Sequence, residues 1–287
     1  MTAKPLVSVI VTTFNRRALI SETLDSILGQ SYTNLEVIVV DNESNDGTEE
    51  HIRSVKDTRI KYLRHANGGV IAVNRNYGIE RASGDYVAFC DDDDLWMPNK
   101  IALQVEAFSR HPGTAVIGTN LILFSREAIY GRAFSGATLS ERRPILMLLA
   151  GSKVALSSTL VRRRALLDAR GFDENPAAFG VEDFSLWLRI SLGGGRIRIL
   201  HEPLVRYRMH PGQFSARDRR VTIRKLDHAL KDLRIREVVN APFYYLGRAC
   251  LFFQLAEASL REPIKKLPGA RELKYKLKAL FGKLGKE

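Results

Sequence analysis

Four consecutive aspartates, residues 91–94, follow a short apolar run in the chain. Adjacent carboxylates repel one another, so such a cluster requires either protonation of some members or a cation that neutralises them. A hard divalent cation is the natural candidate, because Mg²⁺ and Mn²⁺ take oxygen ligands and Mg²⁺ is usually held by one or two carboxylates, phosphate and water. The alternative is an acidic first turn for a helix beginning at Pro98, which the helix dipole would favour.

Two further motifs contain groups that could take part in chemistry. Glu182 and Asp183 precede an apolar pattern of helical spacing, where a carboxylate serves as a helix cap more often than as a catalyst. His210 follows a predicted strand and could bind a metal or a phosphate, although a lone histidine usually does neither. Neither motif identifies a site by itself.

The first half of the chain alternates apolar runs with helical patterns. The runs at 7–11, 37–40, 60–63 and 86–90 predict buried strands. Helices are predicted after Asn15, which we expect to cap the first of them, after Thr48 and after residues 68–69. This alternation predicts a parallel sheet with helices on both faces, whose ligands bind beyond the carboxyl ends of the strands. The aspartate cluster falls at such an end, which favours the metal site.

The second half is less regular. We expect strands at 115–118, 121–124 and 197–205, a mobile loop at 125–143, and a helix from about Val181 to Ile190 that stops at the glycines 193–195. From Val221 onward the chain is helical and basic. Residues 267–287 place leucines at helical spacing among lysines, which is typical of a helix on an anionic membrane surface or of one packed on its own domain.

Composition limits the class of protein. A chain of 287 residues with 45% apolar content can form one main α/β domain, and its net charge of +12 indicates an anionic partner such as nucleotide phosphates, nucleic acid or a membrane. Cys90 and Cys250 match no disulfide framework or zinc motif, which favours a cytoplasmic protein. The apolar runs at 6–11 and 243–256 are too short for a signal peptide or a membrane span.

Six segments occur in the order found in the inverting family 2 glycosyltransferases of the GT-A fold, the type that builds bacterial polysaccharides and glycolipids, and the chain resembles that family over residues 8–215. The segments are 8–15, 40–44, 75–79, 91–96, 171–174 and 182–187. The resemblance implies a Rossmann-like, mainly parallel nucleotide-binding sheet with helices on both faces, followed by a basic helical appendage. It divides the chain into a domain at 1–220, with a donor half at 1–115 and an acceptor half at 116–220, and a region at 221–287 that could associate with membranes.

The resemblance also implies a role for each candidate residue. The nucleotide-sugar donor would contact Thr12, Phe14, Asn15, Asp41, Asn42, Arg75 and Asp92. A Mn²⁺ or Mg²⁺ ion would be bound by Asp91, Asp93 and His210. Asp183 would be the general base, and the acceptor site with its supporting residues would include Glu182, Trp96 and Trp187.

The implied activity is inverting transfer of a sugar from a nucleotide-diphosphate sugar to a hydroxyl of a growing cell-surface glycan or lipid-linked saccharide. A UDP-sugar is favoured, but dTDP- and GDP-sugars stay open because residues 41–44 are Asp-Asn-Glu-Ser where the family commonly has Asp-Asp-Gly-Ser. The resemblance places the enzyme in the cytoplasm, with peripheral attachment to the membrane as an option.

Three alternatives compete with this interpretation. A catalytically inactive nucleotide-sugar-binding module would share the fold. A nucleotidyltransferase would share the sheet and the carboxylates, but usually has a glycine-rich basic loop where this chain has Thr12-Thr13-Phe14-Asn15. A nucleic-acid-binding protein would explain the charge, yet the chain has no recognised nucleic-acid-binding motif.

Overall fold

The computed structural model describes residues 4–133, 154–210, 219–235 and 239–265. A sheet of nine strands forms its centre. The strands are β1 (Val7–Thr13), β2 (Leu35–Asp41), β3 (Ile60–Arg64), β4 (Tyr86–Asp91), β5 (Leu95–Trp96), β6 (Thr114–Phe124), β7 (Ile129–Arg132), β8 (Leu160–Arg162) and β9 (Arg196–Arg208). The helices are α1 (Arg17–Leu28), α2 (Thr48–Ser54), α3 (Ile71–Arg81), α4 (Lys100–Arg110), α5 (Arg163–Asp168), α6 (Glu182–Leu192), α7 (Arg219–Ile235) and α8 (Ala241–Lys265).

The strand order is β3-β2-β1-β4-β8-β6-β9-β5, with β7 paired to β6. The first four strands of this order are all parallel, as predicted. Their registers pair Thr13 with Asp41 and Thr12 with Asp91, so the ends of β1, β2 and β4 lie side by side at one edge. The sheet thus brings the predicted polar strand ends together.

Both faces of the parallel strands are covered because successive side chains of a strand point to opposite faces. Val9 and Val11 of β1 lie in one core with Ile20 and Leu24 of α1. The intervening Ile10 lies in a second core with residues of α3, β4 and α6. A Cβ atom at Gly78 of α3 would lie 2.7 Å from Cγ2 of Ile10, so this contact between helix and strand requires a glycine.

The second half of the sheet is mixed. The two runs predicted around residues 115–124 form one strand, β6, which is parallel to β9 and has register shifts near Asn120. Strand β8, which the sequence pattern does not predict, is antiparallel to both β4 and β6 and joins the two halves. The α/β fold class and the parallel arrangement of the strands in the first half are therefore confirmed. The expected division at 115/116 falls inside β6.

Three local expectations differ from the structure. Arg16, not Asn15, is the N-cap of α1, because Asn15 has φ 52° and lies in the preceding turn. Helix α4 begins at Lys100, after Pro98. The predicted loop at 125–143 contains the strand β7, and its remainder from 134, like the tail at 267–287, lies outside the described residues.

The basic region after residue 220 is helical where the structure describes it. Helix α7 places Ile223, Leu230 and Leu233 in the same core as α6, and α8 adds Leu251. Among the described residues, no helix is both long enough and apolar enough to cross a bilayer.

Candidate active site

The carboxyl edge of the sheet collects acidic groups from two elements. Strand β4 ends in Asp91 and leads into Asp92, Asp93 and Asp94, while the first turn of α6 supplies Glu182 and Asp183. Two basic groups reach the same edge, Arg75 from α3 and His210 after β9. We call this set the acidic edge. It brings together the predicted metal ligands and the predicted base.

Each aspartate of the β4 end has a different partner. Asp91 accepts a hydrogen bond from Arg75 at 3.0 Å, and Asp92 accepts one from the Thr13 hydroxyl at 2.7 Å. An oxygen of Asp93 lies 2.9 Å from Nε2 of His210. These contacts separate roles that the sequence alone leaves equivalent.

Asp94 is fully buried and supports the chain beyond β9. Its Oδ1 accepts a hydrogen bond from the backbone N–H of Arg208 at 3.0 Å. The Arg208 guanidinium donates to the backbone carbonyl of Asp93 at 2.8 Å and to the carboxylate of Glu22 at 2.8 Å. Asp94 and Arg208 together fix the strand end that carries His210. Sequence reasoning missed Arg208, since only its neighbour His210 fitted a chemical motif.

The negative charge of the acidic edge is incompletely compensated. Burial raises the pKa of Asp91, although Arg75 opposes this effect. Burial raises the pKa of Asp92 to about 7, against the hydrogen bond from Thr13 and with repulsion from Asp93. Burial and the charge of Asp91 raise the pKa of Asp94 well above its usual range, and among the described residues its buried Oδ2 has no hydrogen-bond partner. A bound cation would relieve this repulsion.

The potential metal ligands at the acidic edge suit a divalent cation that is only partly enclosed by protein. Asp93 and His210 supply an adjacent carboxylate oxygen and imidazole nitrogen, both suitable ligands for Mn²⁺. Within the described part of the chain, no group of three or more His, Cys, Asp or Glu residues could hold a metal ion by itself. A Mg²⁺-type ion bound by few protein ligands completes its shell with substrate phosphates and water, and this edge suits such binding.

Arg75 joins the two acidic elements. Its buried guanidinium lies 3.0 Å from Asp91 and 2.5 Å from Glu182, and it sits 5.5 Å from the centre of the Phe172 ring. The sequence resemblance assigns Arg75 to the nucleotide, but its side chain is only 7% exposed and both terminal nitrogens contact carboxylates. In this structure, Arg75 therefore holds the first turn of α6 against the end of β4.

Asp183 has the properties of a general base near neutral pH. Burial, followed by the negative charge of Glu182, raises the pKa of Asp183 to about 7, while the backbone N–H of Phe184 and the charge of Arg75 oppose the shift. Its side chain accepts the Phe184 N–H at 2.7 Å, and the residue stays partly exposed. A carboxylate with a pKa near the working pH suits general-base catalysis.

The end of β2 forms a different kind of cluster, which we call the β2 turn. Asp41 is fully buried, and it accepts hydrogen bonds from the backbone N–H and the hydroxyl of Ser44 at 3.0 and 2.6 Å and from the Tyr62 hydroxyl at 2.7 Å. Asn15 accepts the Asn45 N–H at 2.9 Å. Asp41 thus shapes the turn, and its two oxygens are already engaged inside the protein.

Two other predicted donor-binding residues, Asn42 and Phe14, lie beside the β2 turn and keep exposed surface, whereas Thr12 is buried. Asn42 is partly exposed, and its Oδ1 accepts the Asn67 N–H at 2.9 Å. Phe14, which directly follows β1, is 52% exposed although it is a large aromatic residue. Thr12 lies beside Asp91 in the strand register. An aromatic face and an amide at the same edge suit a planar base.

The two tryptophans lie beneath the acidic edge. Trp96 and Trp187 are buried, and their indole N–H groups donate to the carbonyls of Ser157 and Val154 at 2.9 and 3.2 Å. The hydroxyl of Ser157 in turn accepts the backbone N–H of Asp91 at 3.0 Å. Both tryptophans therefore support the site from below and present no surface to an acceptor.

A second support that the sequence pattern did not assign is Asn76. Its side chain donates to the carbonyl of Phe172 at 2.9 Å and accepts the Phe172 N–H at 2.7 Å. Gly171 has φ 64°, and a Cβ there would lie 2.5 Å from Oδ1 of Asn76. The segments 75–79 and 171–174 thus contact each other and fix the chain that leads to α6. Their residues are far apart in the sequence, so no local pattern predicts this contact.

Comparison with known proteins agrees with this geometry. The Glycosyl transferase family 2 profile matches residues 8–170, more than half of the chain. A curated relative, the UDP-Glc:alpha-D-GlcNAc-diphosphoundecaprenol beta-1,3-glucosyltransferase WfgD of Escherichia coli, is 31% identical over 188 residues, which cover 64% of this chain and 69% of the relative.

Solved structures share the fold at lower identity. S. aureus TarS 1-349 in complex with UDP-GlcNAc has a TM-score of 0.64 at 20% identity, covering 89% of this chain and 72% of that one. The mannosyltransferase PcManGT of Pyrobaculum calidifontis, in complex with GDP-Man and Mn²⁺, has a TM-score of 0.62 at 22% identity, covering 97% and 81%. The chain thus belongs to glycosyl transferase family 2, and its fold is that of the GT-A glycosyltransferases.

Proposed function

We propose that this protein is an inverting, divalent-metal-dependent glycosyltransferase that moves a sugar from a nucleotide-diphosphate sugar to a hydroxyl of a lipid-linked saccharide. The observation that carries the proposal is the incompletely compensated acidic edge, where Asp93 and His210 lie side by side within reach of the parallel strand ends. A diphosphate bound through a cation belongs at such an edge, because ligands of parallel sheets lie beyond the strand ends.

The proposed chemistry follows from the positions of Asp183 and Arg75. The acceptor oxygen attacks the anomeric carbon and forms the new C–O bond, while the bond from that carbon to the diphosphate breaks and its electron pair leaves with the diphosphate. Asp183 takes the acceptor proton as the oxygen attacks. Arg75 holds α6 at the end of β4 through Glu182 and Asp91, so it keeps the base at a fixed position relative to the donor.

Mn²⁺ or Mg²⁺ would be held by Asp93 and His210, with Asp91 the third predicted ligand, and when bound it neutralises the charge of the departing diphosphate. Asp92 would then face the donor sugar and stay positioned by Thr13. Asn15 and Asp41 would act on the nucleotide mainly by shaping the β2 turn, whereas Thr12, Phe14 and Asn42 would contact the base and ribose.

The relatives support specific substrates. WfgD is named for a UDP-Glc donor and an acceptor on diphosphoundecaprenol, and TarS is described in complex with UDP-GlcNAc. A UDP-sugar and a lipid-linked saccharide are therefore the favoured substrates. PcManGT is described with GDP-Man and Mn²⁺, so GDP- and dTDP-sugars remain candidates for a chain with Asn42 in the turn. We assign donor binding to residues 1–115 and acceptor binding to residues 116–220, in an enzyme that works at the cytoplasmic face of the membrane.

The test is a panel of UDP-, dTDP- and GDP-sugars in Mn²⁺, read first as thermal stabilisation, because a ligand of the folded state raises apparent stability by mass action. The stabilising donor is then incubated with lipid-linked saccharides, and release of nucleoside diphosphate and formation of a β- or α-linked product are measured. We expect one donor to stabilise the protein in a Mn²⁺-dependent way and to be turned over with inversion.

Each rival function gives a different result. Donor-dependent stabilisation without any transfer indicates an inactive binding module. Release of pyrophosphate from a nucleoside triphosphate and a sugar phosphate indicates a nucleotidyltransferase. Transfer that survives complete chelation contradicts the metal assignment, and product with retained anomeric configuration contradicts the direct attack assisted by Asp183.

A further inference from the structure

The exposed side of α8 carries large apolar side chains. Tyr245 is 67% exposed, Phe252 is 66% exposed and Leu246 is 43% exposed. Tyr245 and Phe252 are seven residues apart, so they lie on the same side of the helix. The opposite side of α8 packs on α7, with Leu251 buried. A helix that is already anchored on its inner side therefore presents an aromatic outer side to solvent, which marks an interaction surface.

The exposed side of the neighbouring helix is cationic. Helix α7 contains six Lys or Arg residues and two Asp residues. Its exposed residues Arg220, Arg224 and Lys231 are spaced by four and seven, which places them on one side of the helix. Arg220, Arg224 and Lys231 on α7 together with Tyr245, Leu246 and Phe252 on α8 form a surface that we call the docking face.

The two stripes of the docking face are joined by ion pairs. Asp227 of α7 contacts Lys231 at 2.8 Å and Arg248 of α8 at 2.7 Å. Arg248 lies between Tyr245 and Phe252 in the sequence, so the pairs link the basic stripe directly to the aromatic one. Arg220, Arg224 and Lys231 outnumber Asp227 on this side of α7, so the docking face keeps a net positive charge.

The charge of the docking face selects its occupant. Residues 266–287, which continue from α8, carry seven Lys or Arg and two Glu, so this segment is cationic and would be repelled by the α7 stripe. A second copy of the chain would bring two basic faces together. An anionic lipid surface attracts the cations and accepts the aromatic side chains at the depth of the headgroups.

We propose that the docking face lies on an anionic membrane surface. Lys225 of α7 donates to the carbonyl of Phe179 at 2.6 Å. Phe179 lies just before α6, whose first turn carries Glu182 and Asp183, so α7 contacts the segment that leads to the proposed general base. Docking would deliver the active site to the bilayer, and this part of the inference rests on the proposed lipid-linked acceptor. The proposed binding by α7 and α8 does not depend on that activity.

The test is co-sedimentation of the full chain with vesicles of phosphatidylcholine alone and of phosphatidylcholine with phosphatidylglycerol. The variants are Tyr245→Ser with Phe252→Ser, and Arg224→Ala. Tyr130→Ser is the matched control, because Tyr130 is 60% exposed on β7 and lies outside the docking face. Circular dichroism verifies that every variant is folded.

We expect binding to the anionic vesicles and little to the neutral ones. The variant with Tyr245→Ser and Phe252→Ser should lower the partition coefficient for anionic vesicles roughly tenfold or more, because it removes the apolar surface that the two aromatic side chains would bury in the membrane. Arg224→Ala should lower it by about threefold to fivefold at low salt and by less at high salt, since surface attraction is screened. Tyr130→Ser should bind like the unmodified chain.

Three results would overturn the proposal: equal binding of all variants, equal binding to neutral and anionic vesicles, or a concentration-dependent dimer abolished by the aromatic substitutions. Transfer to a water-soluble saccharide separates this inference from the proposed function. Docking-face variants that keep this transfer but no longer bind vesicles would support the docking face. A protein that binds vesicles but transfers no sugar would contradict only the proposed enzymatic function.

Discussion

The β2 turn and the acidic edge lie at the ends of β2 and β4, two strands separated only by β1. The carboxylates in these two places differ in whether hydrogen-bond donors of the protein satisfy them. In the β2 turn, the single buried carboxylate of Asp41 accepts hydrogen bonds from Ser44 and Tyr62, all within the protein. At the acidic edge, several carboxylates share Arg75 and His210, and burial raises the pKa of most of them.

This difference indicates what each cluster is for. A carboxylate whose oxygens are satisfied by neutral donors stabilises a loop and needs no ligand. A group of carboxylates with too few donors is costly unless a cation or a reacting proton completes it. We therefore expect the β2 turn to act as a rigid frame for the nucleotide base, and we expect the charges that change during the reaction to lie at the acidic edge.

The largest effect is expected for Asp93→Asn. The variant removes the charge that faces His210, so metal-dependent transfer should fall on the order of a thousandfold, the scale of several kcal/mol of lost charge stabilisation. Initial rates at saturating Mn²⁺ measure this loss, and thermal stabilisation by Mn²⁺ with donor should disappear as well. Asp168→Asn is the control, because Asp168 is exposed and forms a surface ion pair with Arg164 on its own helix. A comparable loss in the control, or near-normal activity of Asp93→Asn, would remove the distinction between the two clusters.

Arg75→Met is expected to lower the free energy of unfolding by about 3 kcal/mol or more, because removing one partner of a buried ion pair leaves the others uncompensated. Here the orphaned carboxylates are those of Asp91 and Glu182. Urea denaturation at pH 8 measures the change, and at lower pH protonation of Asp91, whose pKa is raised by burial, should reduce it. Arg81→Met is the control, since Arg81 lies on the exposed side of the same helix. A loss of donor affinity with unchanged stability would instead support the direct nucleotide contact that the sequence implies.

Asp183→Asn should reduce kcat roughly a hundredfold or more and leave the KM for the donor nearly unchanged, the usual pattern for loss of an acid–base catalyst. The substitution keeps the size of the side chain and the hydrogen bond from Phe184. Steady-state kinetics with a saturating acceptor separate the two parameters. An increase in KM with normal kcat would assign Asp183 to binding and transfer the role of base to another group.

The first half of the fold was largely predictable because its signals are local. Continuous β-branched runs mark strands buried on both faces, and the right-handed crossover rule brings their carboxyl ends to one edge. These two facts were sufficient to predict that Asn15, Asp41, Asn42 and the aspartate cluster lie near one another. The cap at Asn15 was wrong because the residue adopts a left-handed conformation, which serves the turn to Asn45 rather than the helix.

The supports of the site could not be predicted, because they are contacts between distant segments. Trp187 was expected in the acceptor site or among its supporting residues, and only the structure shows that its buried indole donates to the backbone carbonyl of Val154. Strand β8 has only three residues and therefore no periodicity to detect. Which aspartate faces His210 and which faces the interior depends on how β9 returns beside β5, and that pairing is not visible in the sequence.

A smaller effect is expected for Asp41→Asn in the β2 turn. An amide keeps the size but offers only one acceptor oxygen, so one of the donors from Ser44 or Tyr62 loses its partner, at a cost of about 1–3 kcal/mol for an unsatisfied buried group. Thermal or urea unfolding measures this cost. Binding of Mn²⁺ at the acidic edge should be unaffected, which is the contrast with Asp93→Asn. If Asp41→Asn abolishes donor binding without destabilising the fold, the carboxylate contacts the nucleotide directly.

The pH dependence distinguishes the acidic edge from the β2 turn most finely. Because burial and Glu182 raise the pKa of Asp183 to about 7, the base is protonated below that pH, and kcat/KM should rise about tenfold from pH 6 to pH 8. The stability contribution has the opposite sign. The folded state retains a proton that the unfolded chain releases near pH 4, so this group lowers the free energy of unfolding as pH rises from about 4 to about 7. Asp183→Asn should therefore be more stable than the unmodified chain at pH 8 and equally stable at pH 4, and its residual activity should lack the rise near pH 7. An unchanged pH profile in this variant would mean that the titrating group lies elsewhere on the acidic edge.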